Sequence, residues 1–422
     1  MRKRTPELSA AAQRLVDRLD ELGRVSDETG ALTRTFLSPA MERANVVVGS
    51  WMRQAGLTVR EDETGNLIGR REASGPARRR KPKTLLLGSH LDTVRNAGRF
   101  DGALGVLLPI VAMEELQRQG IELPFAVEVL GFSEEEAVRF LGAYIGSKAY
   151  TGRLRPADLK LKDARGLTLQ EVIESHSGRK FSLPKSEHAA RDLIGYLEVH
   201  LEQGPVLEAE GLGLGVVSAI ASQTRGRLTF GGKAGHAGTT PMALRRDALG
   251  GAAEFVLAVE AFAQKRAPLV ATVGTLVVPS SAANVIPGQT ILSLDVRHPF
   301  DTKCQQAVEQ LVKSAQAVAR RRKLDFNWEK TMQHPATSCV NPLTDLLAES
   351  AATVQSRVPT LVSGAGHDGV VMSELTPVTM LFVRCRDGLS HHPDEHVSPA
   401  DLDLALRATI EFLQRLARRE AR

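Results

Sequence analysis

The sequence predicts an α/β fold with a mostly parallel sheet, interrupted by a smaller α+β domain. Apolar runs alternate with helical patterns in the first part of the chain. Runs such as TLLLGS (84–89) and FAVEVLGF (125–132) are apolar nearly throughout, which is typical of parallel strands buried on both faces. Near residue 215 the rhythm changes to longer, partly alternating strands, which indicates a second domain.

The elements of the larger domain follow from these patterns. Helical periodicity covers 8–23 and 40–55, and ALGVLLPIVAMEELQRQ (103–119) has an apolar face between two strands. The predicted strands lie at 66–70, 84–89 and 125–132. After residue 335 the α/β style returns, with a helix at 342–355 and a strand at 378–384.

The middle of the chain predicts an inserted domain. It contains a half-exposed strand starting near 215, a helix at 241–264, strands at 269–279 and 290–300, a helix at 302–322 and a strand at 324–330. Strand-helix-strand-strand-helix-strand is the ferredoxin-like order. We therefore predict a discontinuous domain of residues 1–216 and 331–422, interrupted by a domain of residues 217–330.

Composition excludes several classes of protein. The chain has 422 residues, of which 42% are hydrophobic and 24% charged, as expected of a globular protein. No run is long and apolar enough to predict a membrane span, and the basic start has no apolar signal region, so we expect a cytoplasmic protein. Cys304, Cys339 and Cys385 are too far apart to predict a disulfide framework.

The net charge of +5 is concentrated in short clusters. Aromatic residues do not accompany these clusters, so we predict no nucleic-acid binding. We interpret all three as solvated surfaces, and the first as a loop between strands. The clusters are Arg78, Arg79, Arg80, Lys81 and Lys83; Arg320, Arg321, Arg322 and Lys323; and the tail RLARREAR.

Metal-capable side chains follow or end four apolar segments. They are His90, Asp92 and Asp101; Glu134, Glu135 and Glu136; His200; and His391 and His392. Ligands of open α/β sheets bind beyond the carboxyl ends of the strands, so these groups can converge on one edge.

Each signal has an ordinary structural interpretation when taken alone. His-x-Asp is a weak motif, three glutamates usually begin a solvated helix, His200 between apolar residues suits a core, and a His-His pair suits a turn. Their joint occurrence at strand ends favours a metal site.

Eight segments spread over nearly the whole chain carry a family resemblance. They are GSHLDTVRNAGRFDGALGV (88–106), FSEEEAVRFLGAYIGSKAYTG (132–152), EVHLEQGPVLE (198–208), GKAGHAGTTPM (232–242), NVIPG (284–288), DVR (295–297), SGAGHDG (363–369) and GLSHHPDE (388–395). In these segments the chain resembles the M20 metallopeptidase family, specifically its hydantoinase/carbamoylase branch. Peptidase relatives usually carry a carboxylate at the position of His200.

The resemblance implies a dinuclear metallohydrolase domain with an inserted lid and dimerisation domain. It implies two divalent metal ions bridged by Asp101, with His90 and His200 on one ion and Glu136 and His391 on the other. Imidazole and carboxylate donors suit Zn or Mn, with Co or Ni as alternatives. Gly98 and Gly102 would let the backbone return Asp101 to the site.

Glu135 is the candidate general base, which would move a proton from water to the departing nitrogen. Asp92 would hydrogen-bond the second imidazole nitrogen of His90 and fix its tautomer. Arg139 and Phe140 set the register of the glutamates, but Ala137 replaces the glycine usual in the family. Glu134 with Glu135 therefore remains an alternative pair.

The resemblance also implies a set of substrate-binding residues. His236 would donate to the developing oxyanion, as a further catalytic group. Asn284 and Arg297 would bind a substrate carboxylate, although a surface salt bridge is equally consistent with Arg297. The remaining candidates are Gln203, Gln223 and His367, with Asp368 beside the last.

The implied function is hydrolysis of the ureido C–N bond of an N-carbamoyl-L-amino acid or allantoate, with release of ammonia and CO2. The implied partners are this small-molecule substrate and a second copy of the chain. One alternative is a dipeptidase or N-acyl-amino acid hydrolase on the same site. Another is a binding protein without activity, which the complete ligand set disfavours.

Overall fold

The computed structural model describes residues 8–74, 81–280 and 282–421. This part of the chain forms two compact units, the first from residues up to Ser218 and from Cys339 onward, and the second from Ala219–Ser338. Arg78, Arg79 and Arg80 of the predicted basic loop lie outside the described residues, whereas Arg320, Arg321, Arg322 and Lys323 are exposed as predicted. All three cysteines are buried thiols.

The helices are α1 (Ala10–Leu22), α2 (Pro39–Gln54), α3 (Ala103–Arg118), α4 (Ile145–Tyr150), α5 (Leu169–Ser177), α6 (Val206–Ala209), α7 (Ala248–Gln264), α8 (Asp301–Arg322), α9 (Pro342–Ala351), α10 (Gly369–Met372) and α11 (Pro399–Glu420). The described helices contain none that is long and apolar enough to cross a membrane.

The strands are β1 (Thr58–Glu61), β2 (Leu67–Arg71), β3 (Thr84–His90), β4 (Ala126–Phe132), β5 (Leu193–Leu201), β6 (Leu214–Ile220), β7 (Ser222–Gly231), β8 (Gly235–His236), β9 (Val270–Thr272), β10 (Leu276–Val277), β11 (Val285–Ile286), β12 (Gln289–His298), β13 (Asp325–His334), β14 (Thr337–Ser338), β15 (Thr360–Ser363) and β16 (Val378–Val383).

The first unit has the predicted mixed α/β fold with a largely parallel central sheet. The strand order is β1-β2-β4-β3-β5-β16-β6, and β15 also pairs with β6. The pairs β3–β4, β3–β5 and β5–β16 are parallel, whereas β1, β2 and β6 pair in the antiparallel direction. Because the central pairs are parallel, β3, β4, β5 and β16 end at the same edge of the sheet.

Burial agrees with the apolar runs of the sequence. Every residue of β3, β4 and β16 is buried. Helix α3 is buried over nearly its whole length and packs against β3, β5, α1 and α11. Its first turn therefore lies close to the edge where β3 and β5 end.

The second unit is an antiparallel sheet with two helices packed on it. The sheet order is β10-β12-β7-β13, with β9 also pairing with β12. Helices α7 and α8 both pack on β7 and β12. Side chains of β7 alternate between buried and more exposed positions, as expected when one face of a sheet is covered.

Several predicted boundaries differ in the structure. The helix predicted from residue 241 begins at Ala248, because Asp247 accepts hydrogen bonds from the backbone N–H groups of Leu249 and Gly250. The strand predicted over 324–330 continues to His334. The strand predicted over 269–279 is split into β9 and β10, and the Ser293 hydroxyl accepts a hydrogen bond from Thr275 N between them.

Candidate metal centre

His90 is the last residue of β3 and lies opposite Phe132 of β4. Its side chain is buried, and Nδ1 lies 2.9 Å from the main-chain oxygen of Asp92. The Asp92 carboxylate is farther from this nitrogen, at 3.6 Å. The partner that orients the His90 ring is therefore the carbonyl of Asp92, where the sequence predicted its carboxylate, and Nε2 is left to face the site.

Asp101 lies in the loop that leads into α3. Glu395 Oε1 accepts hydrogen bonds from the backbone N–H groups of Phe100 and Asp101, at 2.9 and 3.1 Å. Gly102 has φ of +64°, and a Cβ atom there would collide with the His90 ring. A Cβ atom at Gly98 would collide with Glu395. Both glycines thus allow the tight backbone path that brings Asp101 beside His90, as predicted.

His200 lies near the end of β5 and completes a first group with His90 and Asp101. His200 Nε2 is 3.2 Å from Asp101 Oδ1, and His90 Nε2 is 4.0 Å from the same oxygen. His200 Nδ1 is 3.0 Å from Leu201 O, which leaves Nε2 for the site. One ligand-capable atom from each of the three residues lies within 4.8 Å of the others.

The second oxygen of Asp101 faces a different group. His391 Nε2 lies 3.1 Å from Asp101 Oδ2 and 3.3 Å from Glu136 Oε1. Asp101, Glu136 and His391 again bring one ligand-capable atom each within 4.8 Å of the others. Asp101 therefore belongs to both groups, with one oxygen directed to each, as expected of a bridging carboxylate.

The three consecutive glutamates have different surroundings. Glu134 Oε1 accepts hydrogen bonds from Arg139 N and Phe140 N, at 2.8 and 2.6 Å, so this oxygen binds the loop. Glu135 and Glu136 lie with His90 in a third metal-capable group. The structure therefore places the pair Glu135 and Glu136, rather than Glu134 and Glu135, beside the other candidate ligands.

The loop that holds these glutamates depends on the Asp92 carboxylate. Its Oδ1 accepts a hydrogen bond from Glu135 N and its Oδ2 accepts one from Glu136 N, both at 3.1 Å. The loop is bent rather than extended, with left-handed φ values of 49° at Glu134 and 55° at Ala137. Both carboxylates therefore reach the cluster from a bent segment. The left-handed φ also explains why glycine suits position 137.

Charge and burial act strongly on this cluster. Burial alone would raise the pKa of Asp101, but hydrogen bonds from His200 and His391 outweigh it and hold the pKa well below its usual range. Burial also opposes charge on His200, yet Asp101 and Glu198 raise its pKa to about 9. Burial, followed by the charges of Asp101 and Asp92, raises the pKa of Glu136 to about 10.

The donor set fits divalent cations. The two groups around Asp101 combine buried carboxylates with imidazoles and contain no thiolate among the described residues. Such mixed nitrogen and oxygen donors suit Zn, Mn, Co or Ni better than calcium or copper(I). Buried carboxylates this close together also need positive charge to remain ionised.

Gln203 and His367 lie beside the same groups. Gln203 Nε2 is 3.4 Å from each oxygen of Asp101 and 3.0 Å from Ser390 Oγ. The rings of His367 and His200 are 4.4 Å apart between centroids, and Ser363 Oγ lies 2.7 Å from His367 Nε2. Asp368 is also buried. In contrast, exposed His392 accepts a hydrogen bond from Asp394 N and belongs to none of the metal-capable groups.

The remaining predicted residues lie in the second unit. His236 of β8 pairs with Val285 of β11, and Ala237 N donates to Asn284 O, so His236 and Asn284 are close along this ribbon. Gln223 lies opposite Arg297 on neighbouring strands.

Both Gln223 and Arg297 bind Asp295. Gln223 Nε2 donates to Asp295 at 2.7 Å, and Arg297 donates through Nε and Nη2 at 2.8 and 3.0 Å. The guanidinium of Arg297 is therefore held in a fixed orientation by a carboxylate of its own unit.

Sequence reasoning missed two buried glutamates that hold the site together. Glu395 accepts hydrogen bonds from the Asp101 segment and, through Oε2, from Ser390 Oγ at 2.9 Å, next to His391. Glu198 lies two residues before His200 and is fully buried. The spacing of two residues, which places both side chains on one face of a strand, was a usable signal for Glu198; the sequence contains no comparable signal for Glu395.

Comparison with known proteins places the chain in a family. Residues 86–418 match the family described as peptidase family M20/M25/M40. The chain is 39% identical to allantoate deiminase 2 of Glycine max, over 95% of this chain and 89% of that protein. It is 36% identical to the N-carbamoyl-L-amino acid amidohydrolase of Geobacillus stearothermophilus, over 97% and 99% of the two chains.

A solved structure gives the same result. The chain superimposes with a TM-score of 0.89 on an amidase of the hydantoinase/carbamoylase family from Burkholderia multivorans, at 31% identity and over 97% of this chain and 98% of that one. The family resemblance stated from the sequence is confirmed. The chain belongs to peptidase family M20/M25/M40, within its hydantoinase/carbamoylase branch.

Proposed function

We propose that this chain is a metal-dependent amidohydrolase that cleaves the ureido C–N bond of an N-carbamoyl-L-amino acid or allantoate. The products are ammonia, CO2 and the remaining amine. The observation that carries this proposal is that the two carboxylate oxygens of Asp101 face two different ligand groups. The names of the relatives, an allantoate deiminase and an N-carbamoyl-L-amino acid amidohydrolase, support the choice of a ureido substrate.

Two divalent ions, Zn or Mn with Co or Ni as alternatives, suit the donor set. His90, Asp101 and His200 would hold one ion, and Asp101, Glu136 and His391 would hold the other. When bound, such a pair lowers the pKa of a water molecule and polarises the scissile carbonyl group.

Glu135 acts as the general base in this proposal. Its carboxylate takes a proton from the attacking water and passes it to the nitrogen that leaves as ammonia. Glu135 is buried, and its backbone N–H donates to Asp92, so the position of the carboxylate is restrained. His367 and Gln203, beside the ligand groups, would contact the substrate.

The second unit would bind the rest of the substrate as a lid. Arg297, oriented by Asp295, would bind the substrate carboxylate together with Asn284. His236 would donate a hydrogen bond to the developing oxyanion, and Gln223 would line the pocket.

Arg297→Ala should raise KM strongly for carboxylate substrates, and unchanged kinetics would remove Arg297 from the pocket.

The second unit would also form a homodimer. The sheet ends at the short strands β9 and β10, and exposed apolar side chains lie on this edge and on α7, which packs against β9. They include Leu257, Val270 and Val277. An apolar helix face next to a sheet edge that pairs with no further strand of the described residues suits the same surface of a second copy. Sedimentation of Leu257→Glu beside the native chain tests this, and an unchanged dimer would place the contact elsewhere. A cytoplasmic location remains part of the proposal.

A substrate panel tests the reaction directly. The protein, loaded with Zn or Mn, is assayed for ammonia release from N-carbamoyl-L-amino acids, β-ureidopropionate and allantoate. We expect turnover of at least one of them, and no ammonia from any would reject the proposal. Cleavage of dipeptides or acetyl-amino acids without ureido turnover would select the peptidase or N-acyl hydrolase alternative.

Glu135→Gln tests the assigned base. The amide keeps the shape of the side chain but cannot accept the proton, so we expect bound metal with a turnover loss of about 100-fold or more. Metal content and kcat are measured on the same sample. Glu134→Gln is the matched control, since Glu134 binds the loop. A fully active Glu135→Gln with an inactive but folded Glu134→Gln would move the base to Glu134.

A further inference from the structure

Glu198 is a fully buried carboxylate directly below the candidate metal centre. It lies on β5, two residues before His200, so both side chains are on the same face of the strand. The reaction proposed above gives Glu198 no part. A buried carboxylate is costly unless hydrogen bonds satisfy it, so its partners indicate what it does.

The two oxygens of Glu198 bind two other segments of the site. Oε1 accepts a hydrogen bond from Ser89 Oγ at 2.8 Å, and Ser89 directly precedes His90. Oε2 accepts a hydrogen bond from Gly369 N at 3.1 Å, two residues after His367. One carboxylate therefore connects the three segments that carry His90, His200 and His367.

These links lie where backbone pairing no longer holds the two strands together. The β3–β5 pairs run from Thr84↔Leu193 to Leu87↔Leu197, and His90 and His200 lie beyond the last pair. The first turn of α3 approaches both strands at this point, since a Cβ atom at Gly105 would collide with Ser89 and with Val199 O. Each strand is still paired on its other side, His90 with Phe132 of β4 and His200 with Phe382 of β16, so the links between β3 and β5 at this level come from side chains. Tyr196, which donates to Gly88 O at 2.9 Å, makes a second link below that of Glu198.

We propose that Glu198 is a positioning residue that sets the separation of His90 and His200 and holds the His367 segment against them. The inference rests on the proposed function in one respect: the separation of His90 and His200 matters because the two residues would bind a metal ion. Glu198, His200 and His367 could also be read as a ligand group, because their ligand-capable atoms lie within 4.8 Å of one another. Both Glu198 oxygens already accept hydrogen bonds, which favours positioning over coordination.

Cobalt binding tests this inference without any substrate. Metal-free protein is titrated with Co²⁺ against a competing chelator, and the visible spectrum reports the ligand geometry. In Glu198→Gln the amide cannot accept from both Ser89 and Gly369, so we expect a loss of Co²⁺ affinity of about 10-fold to 100-fold and a changed spectrum. Ser89→Ala, which removes one link, should show a smaller loss in the same direction.

Glu128→Gln is the matched control for the loss of a buried carboxylate. Glu128 lies on β4, which is separated from β5 by β3, and it accepts hydrogen bonds from Arg70 and Tyr150, away from the ligand groups. This variant should lower Tm and leave Co²⁺ affinity unchanged. If Glu198 only stabilised the fold, Glu198→Gln would likewise have a lowered Tm and an unchanged Co²⁺ affinity.

Two results would overturn the inference. In the first, Ser89→Ala has unchanged Co²⁺ affinity and an unchanged spectrum, and Glu198→Gln either fails to fold or has a lowered Tm with unchanged Co²⁺ binding. The other is complete loss of one Co²⁺ equivalent in Glu198→Gln with native binding in Ser89→Ala, which would make Glu198 a ligand. Absence of ureido turnover in the native protein would reject the proposed function and leave the cobalt comparison intact.

Discussion

The two ligand groups that share Asp101 are built from different kinds of structure. His90 and His200, in the strand-held group, lie at or near the ends of β3 and β5 and are each 2% exposed. Glu136 and His391, in the loop-held group, lie on irregular segments, and the His391 side chain is 47% exposed with a left-handed φ of 57°. Similar donor atoms therefore lie on different kinds of support, and strands position side chains more accurately than loops.

In the loop-held group, hydrogen bonds to buried carboxylates position the segments that carry the ligands. Asp92 accepts from the backbone of Glu135 and Glu136, and Glu395 joins the Asp101 segment to Ser390, next to His391. The comparison teaches that the ligands on one side of the centre lie on paired strands that Glu198 links, whereas the ligands on the other side lie on loops held by buried acceptors.

The largest expected effect comes from the residue that both groups share. Asp101→Asn keeps the shape but removes the charge that pairs with His200 and His391, so both sides should weaken together. We expect kcat/KM to fall by at least about 100-fold and metal content to fall on both sides. Metal analysis and steady-state kinetics measure this, with the exposed Asp394→Asn as control. Loss of one ion alone would break the idea of a shared bridge.

The second effect concerns the sheet that supports the strand-held group. Burial would raise the pKa of Glu128, but hydrogen bonds from His188, Tyr150 and Arg70 and the charge of His188 outweigh it and lower the pKa to about 2, from 4.5. The lowered pKa stabilises the folded state above pH 4.5, and this contribution is lost as the pH falls towards 2.

The shift corresponds to at most about 3 kcal/mol at neutral pH. Glu128→Gln should therefore unfold at lower denaturant concentration than the native protein at pH 7, and the gap should narrow between pH 5 and 2.5, as measured by denaturant unfolding. If the difference in unfolding midpoint between the native protein and Glu128→Gln did not change with pH, Glu128 would not be ionised in the folded state, contrary to this expectation.

The third effect separates the two groups directly. His200→Asn should lose the more tightly held ion, whereas His391→Asn should lose only the ion on the loop side and keep the other. We expect the remaining affinities of the two variants to differ by about 10-fold, as measured by competition with a chelator. Equal remaining affinities in the two variants, or a weaker remaining affinity in His391→Asn, would contradict the expectation that the strand-held group binds its ion more tightly than the loop-held group.

The smallest effect concerns strain in the loop. Ala137 has φ of 55°, a conformation that glycine adopts without a steric cost. Ala137→Gly should stabilise the protein by about 1 kcal/mol, as measured by denaturant unfolding. Ala143→Gly in the same loop is the control, since Ala143 has no left-handed φ and should lose stability. Destabilisation by both changes would mean that Ala137 is not strained.

Much of the fold could be predicted because its signals are local. The run at 84–89 became β3 and the apolar pattern at 103–119 became α3, each within about a residue, since continuous burial leaves a continuous apolar pattern. The start of α7 could not be predicted from apolar spacing, because Asp247 decides it by capping. The helical pattern continues through 241–247, where the backbone instead forms only a short 3-10 helix over Met242–Leu244.

The clustering of the candidate ligands was predictable, whereas their contacts were not. His90, Asp101, Glu136, His200 and His391 were named from strand ends and family resemblance, and the structure brings all five together around the oxygens of Asp101. The partner of His90 Nδ1 was not predictable, because a carbonyl and a carboxylate of the same residue compete for it.

The amino-acid sequence by itself determined the donor types, their positions next to buried strands and the family. Only the tertiary structure decided which oxygen of Asp101 faces which group, and that Glu198 and Glu395 hold the segments together. The physical reason is that these contacts join residues 100 to 300 positions apart. Their geometry depends on strand register and on which buried N–H and O–H groups need an acceptor, and no local pattern of residues records either.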